Sequence, residues 1–316
     1  MAALEPARLA QARNYSYRLL GRLFLDGLTA EVWPTVQAIP ELAAALPIPF
    51  SPDDAAAAHH TLFAFNLFPY QAIFLDESGL LGGDVTQAVM VSYQQAGYKS
   101  DAAVPDHLGQ ELLFLAYLSE GEAAAWETDQ IPLARQWQQQ QAHFLVTHLL
   151  RWLVPCVIAL EQIAPPFYRQ LAHLTLALVS EHYERVAAAP PSSPLLPPLP
   201  ETPPITDRAR LHRLITPVHS GLYLSRANIE QLARQVGVPR GFGRREEMLR
   251  TVWDAAAQAD RLPMLLAGVT NLVSQWQQRY RELLDEWPLL LPFVHPWQSR
   301  SQQTLAWRQE ILPTTD

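Results

Sequence analysis

The chain has 316 residues, of which 49% are hydrophobic and 17% charged, with a formal net charge of −8. That composition supports a sizeable core and excludes an intrinsically disordered chain. A single cysteine, Cys156, excludes an internal disulfide framework and a cysteine-only metal cage.

Helical periodicity dominates from the start. "ARLAQARNYSYRLLGRLFL" reads as a helix that stops at Asp26 and Gly27, and "EVWPTVQAI" as a short second one. "SPDDAAAAHHTLFAFNLF" opens with Ser51 as N-cap, Pro52 at the first helical position and two acids in the first turn, then ends at Pro69. Gly79, Gly82 and Gly83 mark a loop, and a helix follows from about Asp84 with Val85, Ala88, Val89 and Ser92 on one face. Further helices are expected over 102–118, 133–150 and 165–186.

From Pro190 to Pro204 eight prolines occur in fifteen residues. Such a segment favours extended polyproline conformation and reads as a semi-rigid linker. Beyond it, Ser225 and Gly237 bracket a helix, and two more lie in "RREEMLRTVWDAAAQA" and "LPMLLAGVTNLVSQWQQRYRELLDEW". The last stretch, from Pro288 on, carries prolines and tryptophans and is expected to pack back as an irregular tail. No strand-like alternation persists for more than a few residues, so the fold class is all-α. The expected division is a helical domain over 1–188, a linker over 189–207 and a smaller helical block over 208–316.

The apolar runs are short: "LVPCVIAL" and "PLLLPFV" are each broken by proline, far below the roughly 20 residues that span a bilayer. No basic stretch followed by an apolar one opens the chain. A cytoplasmic protein without membrane insertion is therefore expected.

The segment most loaded with chemistry is "AAVPDHLGQELLFLAYL", where Pro105, Asp106 and His107 precede an apolar run. Asp106 can accept from the free amides of the first helical turn, and His107 and Glu111, four apart, share a face. An acidic cap with a polar border is one reading, an acid/base or metal site a second, and a binding site a third. Between Tyr70 and Gln130 ten acidic residues face one basic one, Lys99, a local charge of −9 that suits a basic peptide and repels nucleic acid. Signatures of hydrolases, nucleotide-binding loops and zinc proteases are missing. His59–His60 and the pair His143 and His148 lack one-face ligand spacing. Cys156, among Val154, Pro155 and Val157, reads as a buried inert thiol. No catalytic residue, metal or cofactor is expected. The alternative is a DNA-binding regulator using the helix-turn-helix-like segment 225–253, against which Gly241, Gly243, Glu246 and Glu247 all count. A metal-dependent hydrolase on Asp106, His107 and Glu111 is the remaining rival.

Three stretches in order, "FPYQAIFLDESGLLGG", "PDHLGQELLFLAYL", and "HFLVTHLLRWLVP" with "FYRQLAHLTLALV", together resemble the TorD/DmsD/NarJ-type redox-enzyme maturation chaperones. The likeness runs from about Arg13 to Val186. Pro155 lies three residues after Trp152, where the family commonly has it two after, and the block beyond the linker falls outside the likeness. The resemblance implies a helical bundle that binds the leader peptide of a molybdopterin oxidoreductase catalytic subunit, often a twin-arginine signal, and holds it for cofactor insertion, assembly or export. On that basis Asp106 and Glu111 are expected to meet the leader's arginines. Tyr70, Phe74, Leu80, Leu108 and Leu112 would take its apolar part, and His107 would grip with a pH sensitivity near neutrality. For the second block three roles are open: covering the groove, touching the client's folded part, or forming a homodimer.

Overall fold

The computed structural model describes residues 4–100, 103–186, 195–199 and 206–311, with side chains through Ala306. Asp101 and most of the proline-rich segment, residues 190–194 and 200–204, lie outside the described residues. The chain forms α1 (Leu4–Leu25), α2 (Trp33–Gln37), α3 (Pro40–Ala43), α4 (Pro52–His60), α5 (Gln71–Leu75), α6 (Gly83–Gln95), α7 (Leu108–Glu127), α8 (Ile131–Thr147), α9 (Leu153–Ile163) and α10 (Pro166–Val186). After the proline-rich segment follow α11 (Asp207–Ile215), α12 (Pro217–Ser220), α13 (Arg226–Val236), α14 (Arg245–Gln258), α15 (Leu262–Glu286) and α16 (Leu291–Ile311). No strand occurs among the described residues, only an isolated bridge between Tyr70 and His107. The fold is all-α, as the periodicity requires.

Several ends are where the sequence places them. Ser51 accepts from the Asp54 amide at 3.3 Å, and Ser225 with Asn228 closes a reciprocal cap on α13. Gly237 ends that helix in the left-handed region at φ 74°. One expectation is corrected at the C-terminus. Residues 291–311 are not an irregular tail but helix α16, with Pro296 inside it. Leu290, Phe293, Val294, Trp297, Ser301 and Thr304 recur at helical spacing and are buried, which outweighs the one hydrogen bond that Pro296 forfeits.

α1 lies along α7, and Gly21 and Gly109 meet at the crossing: a Cβ on either would come within 2.8 Å of the other's carbonyl oxygen or closer. Beneath them a polar knot fills the seam. The buried Glu122 accepts from Trp126, Gln138 and Gln141 and pairs with Arg13.

The two blocks flanking the proline-rich segment share one core. The Phe74 and Tyr223 rings stack at 5.3 Å, and Tyr183 meets Phe293 edge-on at 5.4 Å. Trp297 Nε1 donates to the Arg151 carbonyl at 2.9 Å, and Arg279 holds Glu161 through two hydrogen bonds of 2.8 Å. Within the described part of the linker, Leu196 is buried and the Leu195 carbonyl accepts from Arg151 at 2.7 Å. Among the described residues no single helix is long and apolar enough to cross a membrane. The nearest approach, the bent run through α8 and α9, packs its apolar residues from Leu149 to Leu160 inside the protein.

Candidate functional site

Asp106 is not the cap of its own helix. His107 is the N-cap of α7, its Nδ1 accepting from the Gly109 amide at 3.0 Å. Asp106 instead caps the neighbouring α5: its carbonyl accepts from the Gln71 amide at 2.9 Å and its carboxylate from the Ala72 amide at 2.8 Å. The Leu108 amide returns a bond to the Pro69 carbonyl at 2.8 Å. The proline before α5 and the aspartate before α7 thus clasp two helix starts together, each supplying acceptors for the other's orphan amides.

The clasp sits under cover. Asp106 and Glu111 are 0% exposed, as are Phe74, Leu108 and Leu112. This corrects the expected contacts: carboxylates without solvent exposure cannot pair directly with arginines arriving from outside, and these three apolar side chains are core. Burial raises the Asp106 carboxyl above its ordinary value, partly countered by the Ala72 amide. Burial, then the Asp106 charge, pushes Glu111 well above the usual carboxylate range, although Trp152 Nε1 donates to its Oε2 at 3.3 Å. Glu111 Oε1 has no hydrogen-bond partner among the described residues. Burial, with His59 as a second cause, lowers His107 to about 4. The expected titration near neutrality is therefore absent: at pH 7 the ring is neutral, Nδ1 accepts, and the proton lies on Nε2.

His107 and Tyr70 face an open apolar cavity of about 550 Å³. Their rings meet edge-on at 4.8 Å. Phe24, Leu25, Phe63, Phe68, Leu81, His59 and His60 complete most of the wall, and His59 is fixed by a bond to the Phe24 carbonyl at 3.1 Å. Leu80 and Leu81, in the loop before α6, are 61% and 48% exposed, and Glu77 and Asp84 in the same stretch face solvent. Of the eight residues expected at a peptide site, Tyr70 and His107 line the cavity, Leu80 lines an adjoining one together with Leu81, and the other five line neither. Sequence reasoning passed over Phe24, Phe63 and Phe68; the aromatic density of "TLFAFNLFPY" was the available signal.

Phe68 and Leu81 also line a second cavity of about 710 Å³, whose far wall is the later block, including Arg226, Arg244 and Glu246. Tyr223 fixes the shared wall. Its hydroxyl donates to the Asn66 carbonyl at 3.1 Å and accepts from the Phe68 amide at 3.3 Å.

In the segment 225–253, Arg245 turns inward, its guanidinium 4.3 Å from the Tyr223 ring centre and bonded to the Leu224 carbonyl, while Arg240 pairs with Glu230 at 3.3 Å. Glu246 and Glu247 occupy the first turn of α14. Cys156 is buried, and burial raises its thiol well above the ordinary range. Among the described residues no three histidine, cysteine or carboxylate side chains are grouped to hold a metal ion.

Residues 33–157 match the family model described as nitrate reductase delta subunit. No curated protein matches the chain. The matched segment contains α5, the glycine loop, the Asp106–His107 clasp and Trp152, features that also carried the resemblance to the maturation chaperones, while "FYRQLAHLTLALV" lies beyond it. This match, over about two fifths of the chain, and the all-α fold support the nitrate reductase delta-type, TorD/NarJ-type family of maturation chaperones, a family of chaperones rather than catalysts.

Proposed function

We propose that the chain binds the leader peptide of a molybdopterin oxidoreductase catalytic subunit in the cytoplasm and holds it through cofactor insertion, before assembly or twin-arginine export. The observation that carries this reading is the position of His107 and Tyr70. The clasp made by Asp106 aims both at an open apolar cavity of about 550 Å³, a size suited to the apolar side chains of a short helix. Asp106 and Glu111 act as positioning residues, holding α5 and α7 in register from behind. The leader's arginines meet exposed carboxylates of the stretch that carries Leu81, Glu77 and Asp84 foremost, where solvent access lets an ion pair form without burying a lone charge.

The test is affinity capture of the tagged chain from its host, comparing a molybdopterin oxidoreductase subunit with and without its leader. The leader-bearing form should be retained and the leaderless form lost. Equal capture of both would transfer the interaction to the client's folded part and overturn the reading.

A further inference from the structure

Away from this cavity, α13, α15 and the end of α9 enclose a cleft of about 250 Å³. Six of its nine lining residues are carboxamides, Gln162, Asn228, Gln231, Gln235, Asn271 and Gln275, and none is charged. Gly268 lets the helices close: a Cβ there would stand 2.8 Å from Leu232 and 3.4 Å from the Gln235 amide oxygen. Leu232 and Leu272 supply apolar floor between the amides. The bidentate Arg279–Glu161 pair, adjacent in sequence to Gln162 and one turn beyond Gln275, pins α15 to α9 beside the cleft.

We infer that this cleft holds an extended, uncharged stretch of polypeptide by its backbone. A carboxamide offers one donor group and one acceptor, the same pair that a peptide unit presents. Gln231 and Gln235, and likewise Asn271 and Gln275, are four residues apart on their helices, a rise of about 6 Å. Two residues of extended chain advance about 6.7 Å. Successive amides on one helix therefore meet successive peptide units that point the same way, and side chains pointing elsewhere go unread. A cleft lined by charge would select charge; this one selects a conformation. Proline-rich or helical segments are poor occupants, the first lacking amide donors and the second having none free. The inference is independent of the leader reading, since the two cavities have no lining residue in common.

The experiment uses the full chain and a fluorescein-labelled ten-residue peptide of alternating serine and threonine, read by fluorescence polarisation. Saturable binding below millimolar concentration is expected. The same peptide N-methylated at every second nitrogen should bind at least tenfold more weakly. Gln231→Ala and Gln275→Ala, both on exposed positions, should each weaken the unmodified peptide about threefold to tenfold with unchanged helicity and melting. Gln302→Ala, exposed on α16, should leave binding as in the wild type. No saturable binding, equal binding of the methylated peptide, or indifference to both cleft substitutions would overturn the assignment.

Discussion

Replacing Asp106 by alanine and by asparagine separates holding the site from touching the ligand. The carboxylate accepts from the Ala72 amide at 2.8 Å in a place with no solvent exposure. Alanine strands that amide, and a buried unsatisfied donor costs about 1–3 kcal/mol. The loss is partly offset because the buried carboxyl, whose pKa is raised, is itself held at a cost when ionised. The net expectation for Asp106→Ala is about 1–2 kcal/mol of destabilisation, read from urea unfolding at constant m-value. Faster hydrogen exchange at Ala72 and weaker leader binding should accompany it, as the segment carrying Tyr70 comes loose. Asp106→Asn keeps an oxygen acceptor and should remain within about 1 kcal/mol of the wild type, with leader binding largely retained. A stable asparagine variant that loses the leader while Ala72 stays protected would mean that the charge itself meets the arginines, and the positioning role would be wrong.

Four further outcomes are expected. Glu111 has a folded-state pKa raised above its ordinary 4.5, so its contribution to stability is full below that pH and is lost as pH rises through the folded value; Glu111→Gln should flatten the stability profile above pH 4.5, and an unchanged profile would show that Glu111 titrates normally. Ala64→Trp, at an exposed position on the cavity wall, should abolish leader binding without lowering the melting temperature; full binding would place the leader elsewhere. Tyr223→Ala removes the ring stacked on Phe74 and both hydroxyl bonds to the 66–68 turn, and should cost about 3–5 kcal/mol as a single cooperative loss; a separate early transition confined to the later block would refute one shared core. Near the Glu161–Arg279 contact, His173 also bonds Glu161 at 2.6 Å; its pKa is raised from 6.5 while that of Glu161 is lowered from 4.5. His173 stabilises below pH 6.5 and loses its effect above the folded value, and Glu161 stabilises above pH 4.5, so amide protection at the α9–α15 contact should be greatest between these limits.

What could be read from the sequence was local. Ser51, Pro52, Ser225 and Gly237 each carry a helix end in a single residue's chemistry, and those ends formed as written. The period of α16 was equally present but hidden by Pro292 and Pro296, which read as breakers although the buried Phe293, Val294 and Trp297 hold the helix. The candidate site was found in place but not in orientation. Pro105-Asp106-His107 looks like a cap for the helix that follows, and only the tertiary fold brings the Ala72 amide to that carboxylate. Nor does helical spacing tell which apolar residues become rim and which become core. Phe74 is buried because Tyr223, about 150 positions later, lies on it.

That last pairing has a consequence during synthesis. The ribosome releases the block before the proline-rich segment first, and Tyr223 and Phe293 emerge many residues after the Phe74 and Tyr183 rings they cover. At about 5–20 residues per second the early half waits on the order of ten seconds with aromatic surface uncovered. The chain is itself, for that interval, a nascent polypeptide in need of shielding, and a stop codon after Val186 would make the condition permanent.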